Sequence, residues 1–101
     1  MLFISVEDFF AQAMNAPRLT RDEQKQLSLE MAQNDDARNQ LIRSYLPFVA
    51  ARIRRAPKSF QTLHTVYACL SALEKGVDSF NFQQDREPFI HHLSWRLRRC
   101  I

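Results

Sequence analysis

Trp95, Arg96, Arg98 and Arg99 stand together near the end of the chain, and a planar indole among guanidinium groups has a definite chemistry. The ring offers a stacking plane to a base and the guanidiniums offer charge to phosphates, the combination that single-stranded nucleic acid requires. Helical spacing separates these residues from their neighbours. At about 100° per residue, Phe89, Ile90, Leu93, Leu97, Cys100 and Ile101 fall in one arc of about 120°, the width of a core-facing stripe. Trp95 falls outside that arc with His91, His92, Arg98 and Arg99, and Arg96 flanks them. The plainer alternative is that Trp95 packs against another helix and the arginines are only solvated.

Other candidate chemistry is sparse. His91 and His92 are adjacent, so on a helix they point about 100° apart and cannot chelate one ion in the usual i, i+4 arrangement. His64 stands alone. The chain has no Gly-rich phosphate loop, no Cys-x-x-Cys and no Ser–His–acid set that its segments would bring together. These observations support neither an enzyme nor a metal or other cofactor. Cys69 and Cys100 each lie in an apolar-periodic segment, which reads as two reduced core thiols in a cytoplasmic protein. The apolar start, Met1 to Ile4, is too short for a signal peptide or a membrane span.

The elements that must position Trp95 are helices. With 101 residues, 46% of them hydrophobic, the chain is long enough for one domain with a modest core. One Gly and four Pro leave few tight turns, so the expected class is all-α, a bundle of about five helices. Ser5 with Asp8 opens the first helix, to about Asn15, and Ala16-Pro17 interrupts it. Thr20 with Glu23 forms a capping box for a second, with apolar Leu27, Leu29 and Met31, ending near Gln33. Asn34 to Asp36 caps a long third helix carrying Leu41, Ile42, Tyr45, Leu46, Phe48, Val49 and Ile53. Pro47 lacks an N–H and clashes with the carbonyl of residue 43, so this helix should kink. After Ala56-Pro57, Ser59 is expected to cap a fourth helix with the stripe Leu63, Val66, Tyr67, Leu70, Leu73 and Val77. A polar loop anchored by Phe80 and Phe82 follows, and Asp85 is expected to cap a last helix with Pro88 in its first turn. The expected core includes Leu41, Tyr45, Val49, Val66, Leu70, Leu73, Phe89, Leu93 and Leu97. Tyr67, Phe48 and Phe60 read as core aromatics rather than a cofactor box.

Net charge is +3, unevenly distributed. Residues 1–36 carry three cations against seven acids, whereas residues 37–58 carry six cations and no acid. A basic middle behind an acidic first third suits a polyanion or an acidic protein surface.

Four segments, in order, resemble the bacterial sigma-70 family of transcription initiation factors. Val6 to Gln12 and Pro17 to Glu23 are similar to region 1.2, a short amphipathic helix, a proline turn and Leu-Thr-x-x-Glu-Glu. Asp35 to Val49 is similar to region 2.1, which reads Ala-Arg-x-x-Leu-Ile-x-x-Asn-Leu-x-Leu-Val. Ala72 to Asn81 resembles the end of region 2.2, Leu-x-Lys-Ala-Val-x-x-Phe-Asp. Phe89 to Ile101 resembles regions 2.3 and early 2.4, Phe-Ser-Thr-Tyr-Ala-Thr-Trp-Trp-Ile-Arg-Gln-Ala-Ile. The resemblance covers the whole chain as a single domain, 1–33 matching region 1.2 and 34–101 region 2.

The resemblance implies a cytoplasmic, membrane-free subunit that docks on core RNA polymerase and captures the non-template strand of the promoter minus-ten element. It carries nucleic-acid contacts onto Phe89, His92, Trp95, Arg96, Arg98 and Arg99, and the polymerase clamp contact onto the helix bearing His64, Tyr67, Ala68 and Ser71. Trp95 takes the place of the first family tryptophan, Arg98 that of the family arginine, and Arg99 that of the base-reading glutamine. The sequence also departs from the family. Arg96 replaces the second tryptophan and His92 the tyrosine, which leaves a smaller, more basic stacking surface. The acidic clamp run Asp-Leu-Ile-Gln-Glu-Gly aligns with His64 to Cys69, where the Asp, Gln and Glu are absent, so a clamp contact would rest on packing around Tyr67. The match ends within region 2.4, before the family's domain 3 and its C-terminal helix-turn-helix. Two readings stay open: an initiation subunit or a fragment of one, and a degenerate sigma-fold interaction module or half of a split sigma factor. The second acts through a partner, either an anti-sigma factor or a separate domain-4 subunit.

Overall fold

A computed structural model describes residues 2–83 and 87–100, and among these the chain is helical, with no strand. The helices are α1 (Val6–Met14), α2 (Arg21–Glu30), α3 (Asp35–Ser44), α4 (Leu46–Arg55), α5 (Leu63–Ser79) and α6 (Phe89–Leu97), with a 3-10 turn at Lys58–Phe60. All five expected segments form helix, and the third divides in two.

That division follows from Pro47. Tyr45 takes φ −99° and ψ 0°, ending α3 and opening α4, with Pro47 in the first turn of α4. The Tyr45 N–H turns back to the Ile42 carbonyl at 3.1 Å, and helical bonding resumes from the Val49 N–H to the Tyr45 carbonyl at 3.2 Å. The break is therefore sharper than a kink, yet it keeps Leu41, Ile42, Tyr45, Leu46, Val49, Ala50 and Ile53 buried on one side. Every residue of the expected core set is buried.

Capping largely follows the local chemistry. Thr20 and Glu23 form the complete box, Ser5 Oγ accepts from the Asp8 N–H at 3.0 Å, and Asn34 Oδ1 accepts from the Asp36 N–H at 2.9 Å. Glu23, accepting from the Thr20 backbone N–H, has its carboxyl held below the usual range. Three local expectations need correction. Ser59 does not cap α5; it lies in the 3-10 turn, and Thr62 Oγ1 caps the helix by accepting from the Thr65 N–H. The turn is needed because Gln61 folds back, its side-chain amide donating to the Ala56 and Arg54 carbonyls that α4 leaves open. Pro88 is the extended N-cap of α6 rather than part of its first turn; Asp85 lies outside the described residues. Phe60 is 42% and Tyr67 37% exposed, so neither is core, while Phe48 is partly buried against it.

The 17-residue α5 is the central element, touched by α1, α3, α4 and α6; α2 lies outside on α3, with Leu27 and Met31 turned inward and Leu29 outward. Long-range contacts help secure the layers. Arg38 donates to both Asp78 carboxylate oxygens at 2.8 and 2.9 Å, joining α3 to α5. The residues before α1 are pinned by Tyr67, whose hydroxyl accepts from the Phe3 N–H at 2.9 Å and donates to the Phe3 carbonyl at 3.2 Å. This seats the Phe3 ring in the core, edge-on to Phe9 at 5.2 Å.

Candidate nucleic-acid interface

The surface that carries Trp95 is set by how α6 lies on α5. Leu93 and Leu97 are fully buried and Phe89 nearly so. Gly76 of α5 makes the approach close: a Cβ there would meet Arg96 Cδ and Phe89 Cζ at 3.3 Å, tighter than ordinary packing. A glycine inside a helix costs about 1 kcal/mol against alanine, and here it gives room to the two α6 side chains that flank the seam.

Phe89 is 3% exposed and surrounded by rings: Tyr45 at 4.6 Å, Phe82 at 5.1 Å and Phe80 at 5.2 Å between centroids. It has no free face for a base, so its place among the expected nucleic-acid contacts is corrected to a structural one. His92 changes role too. Its ring lies against Phe80 at 5.3 Å and Phe89 at 5.9 Å, and its Nε2 accepts from Arg96 Nε at 2.9 Å. That bond requires a neutral imidazole, and burial, assisted by the Arg96 charge, holds its pKa below the ordinary histidine value. His92 thus orients Arg96, whose Nη2 also donates to Ser79 Oγ at 3.1 Å. Of the expected core stripe, Ile90 is exposed, Cys100 is half-buried beyond the end of α6, and Ile101 lies outside the described residues.

The remaining expected contacts face outward. Trp95 is 54% exposed, with the Arg99 guanidinium over its ring at 4.7 Å from the centroid. Arg98 is exposed at the C-cap of α6. Trp95, Arg96, Arg99 and Cys100 form one wall of a groove of about 230 Å³ whose other wall is Ala68, Ser71, Ala72 and Lys75 of α5. The fold therefore joins two sets that were separate in the sequence: Ala68 and Ser71, expected at a polymerase contact, border the same groove as Trp95. His64 and Tyr67 lie nearer the start of α5, where Tyr67 is engaged with Phe3. Lys75 is a groove residue that sequence reasoning missed; its exposed position on α5, one turn from Ser71, was the available signal.

A second cavity, about 330 Å³, opens between α2 and the start of α6, beneath Arg21 and Pro88, with Tyr45, Phe80 and Phe82 in its wall. The Tyr45 hydroxyl there donates to Gln24 Oε1, and burial raises its pKa above the ordinary tyrosine value. Among the described residues no three His, Cys, Asp or Glu side chains converge as a metal site. No described helix is long and apolar enough to cross a membrane. No family model, curated protein or solved structure matches the chain.

Proposed function

We propose that this chain is a sigma factor-like transcription initiation subunit, or a fragment of one, that binds single-stranded promoter DNA on the outer face of α6 while docking on core RNA polymerase. The observation that carries this reading is the half-exposed Trp95 with Arg99 over its ring, beside Lys75, Arg96 and Arg98. A base stacks on the indole, either on its open face or in place of the guanidinium. Arg99 and Lys75 meet the adjacent phosphates. Arg96, oriented by His92 and Ser79, presents its remaining N–H groups toward the groove. Arg98, beyond the last turn, extends the positive surface along the strand. His64, Tyr67, Ala68 and Ser71 are the polymerase-facing residues in this reading.

Trp95 is the chain's only tryptophan, so its fluorescence reports directly on the site. Titration with a single-stranded minus-ten oligonucleotide should quench it, and a pull-down should retain core polymerase. An unchanged emission at saturating oligonucleotide, with no retention of polymerase, would remove the reading. The alternative, an interaction module acting through a protein partner, is favoured by the loss of Phe89 and His92 as open stacking faces. It predicts polymerase or regulator binding without any DNA-dependent change in Trp95 emission.

A further inference from the structure

The chain has two cysteines, thirty-one positions apart and both free, and the fold sets Cys100 against the α5 backbone beside Cys69. Cys69 is fully buried in α5. Cys100 is half-buried in the turn after α6 and lines the Trp95 groove. Its Sγ donates to the carbonyl of Ala68, the residue next to Cys69 in α5, at 3.7 Å, and the Cys100 sulfur is near enough to act on the Cys69 thiol. Two sulfurs so placed, one accessible and one enclosed, have the arrangement of an attacking and a resolving thiol.

We propose that Cys100 and Cys69 form a thiol modification site: a small disulfide captures Cys100, and Cys69 resolves the adduct into an intramolecular disulfide between α5 and the end of α6. In the first step the Cys100 thiol loses its proton to solvent, and the thiolate attacks one sulfur of R–S–S–R. A Cys100–S–S–R bond forms and one R–S⁻ leaves, taking up a proton. In the second, the Cys69 thiol gives up its proton and attacks the Cys100 sulfur, forming the Cys69–Cys100 bond and expelling the second R–S⁻, which is protonated in turn. Two protein thiols are oxidised and one small disulfide is reduced to two thiols. The order is set by access and acidity. Burial, with the neighbouring Cys100 sulfur adding to it, pushes the Cys69 thiol up to about 12, against which the Arg52 charge acts only partly. Attack on the small disulfide therefore falls to the accessible Cys100 rather than to the enclosed Cys69, and Cys69 reacts only because the adduct is held beside it. The product tethers the turn bearing Arg98 and Arg99 to α5. The site does not depend on the nucleic-acid reading.

The test uses the full chain with oxidised glutathione, followed by alkylation of remaining thiols, intact mass measurement and peptide mapping. The wild type should pass through one glutathionyl adduct on Cys100 to a species two hydrogens lighter than the reduced protein, with Cys69 and Cys100 peptides cross-linked. Cys69→Ala should stop at the adduct. Cys100→Ser, altered at a half-exposed position, should keep its far-UV spectrum and take no adduct. A wild-type adduct that persists without a cross-linked peptide overturns the proposal, as does adduct formation on Cys69 in folded Cys100→Ser at the wild-type rate. Should Cys69→Ala fail to fold, the wild-type peptide map still decides.

Discussion

Replacing Trp95 with alanine separates a binding side chain from a packing one, because the two roles give losses in different measurements. With the ring 54% exposed, alanine removes roughly 60 Å² of buried apolar surface, worth about 1.5 kcal/mol at the usual coefficient, an upper figure. The stacked Arg99 pair adds about 0.5–1 kcal/mol. A stability loss of at most about 2–2.5 kcal/mol follows, which leaves a domain of ordinary stability, about 5–15 kcal/mol, folded. In DNA binding the same change removes a stacking platform worth ~1–3 kcal/mol per base, about tenfold or more in affinity. Leu93→Ala is the control: fully buried, it should cost ~2–5 kcal/mol of stability while the folded fraction retains wild-type affinity. Urea denaturation followed by far-UV circular dichroism gives the first quantity, and anisotropy of a labelled oligonucleotide at fixed salt gives the second. If Trp95→Ala destabilises as much as Leu93→Ala and leaves affinity unchanged, Trp95 is a packing residue and the nucleic-acid face is refuted.

Arg98→Ala should weaken binding to all single-stranded sequences and lower the slope of log affinity against log salt by about 0.7, one phosphate contact; an unchanged slope would assign Arg98 to solvent alone. Leu70→Ala, at a buried α5 position, should cost ~2–5 kcal/mol by denaturant titration, and a cost below about 1 kcal/mol would contradict the packing described. Tyr67→Phe keeps the ring but removes both bonds to Phe3; a loss of about 1–2 kcal/mol and faster proteolysis ahead of α1 are expected, whereas wild-type protection would mean the clasp is unimportant. His92, neutral in the fold with its pKa below 6.5, makes stability fall as pH drops from the unfolded value toward the lower folded one, because the unfolded chain binds the proton first. Between about pH 7 and about pH 5, His92→Gln should melt with a shallower pH dependence than wild type; parallel melting curves would show that His92 is not responsible.

The helices and their inward faces are legible in the sequence because they depend on contacts three and four residues apart. The spacing of Leu41, Tyr45 and Val49, and of Val66, Leu70 and Leu73, selects the buried stripes, and Thr20 with Glu23 or Asn34 with Asp36 satisfies N–H groups one turn away. Pro47 marks the break in the third segment for the same local reason, the loss of one backbone donor. Which stripe meets which is decided over long separations. Arg38 reaches Asp78 across forty positions and Tyr67 reaches Phe3 across sixty-four, and no local pattern ranks these partners above others of the same type. The candidate site divides the same way. Trp95 is legible as off-stripe and Phe89 as core by spacing, while the resemblance also gives Phe89 and His92 nucleic-acid contacts; the rings of Tyr45, Phe80 and Phe82 arriving from other segments enclose Phe89, with Phe80 also covering His92. The groove, too, needs both α5 and α6, and Gly76 brings them close by what it lacks, a Cβ. Periodicity specifies which side of a helix avoids water; the shapes and charges that meet there determine what the other side can bind.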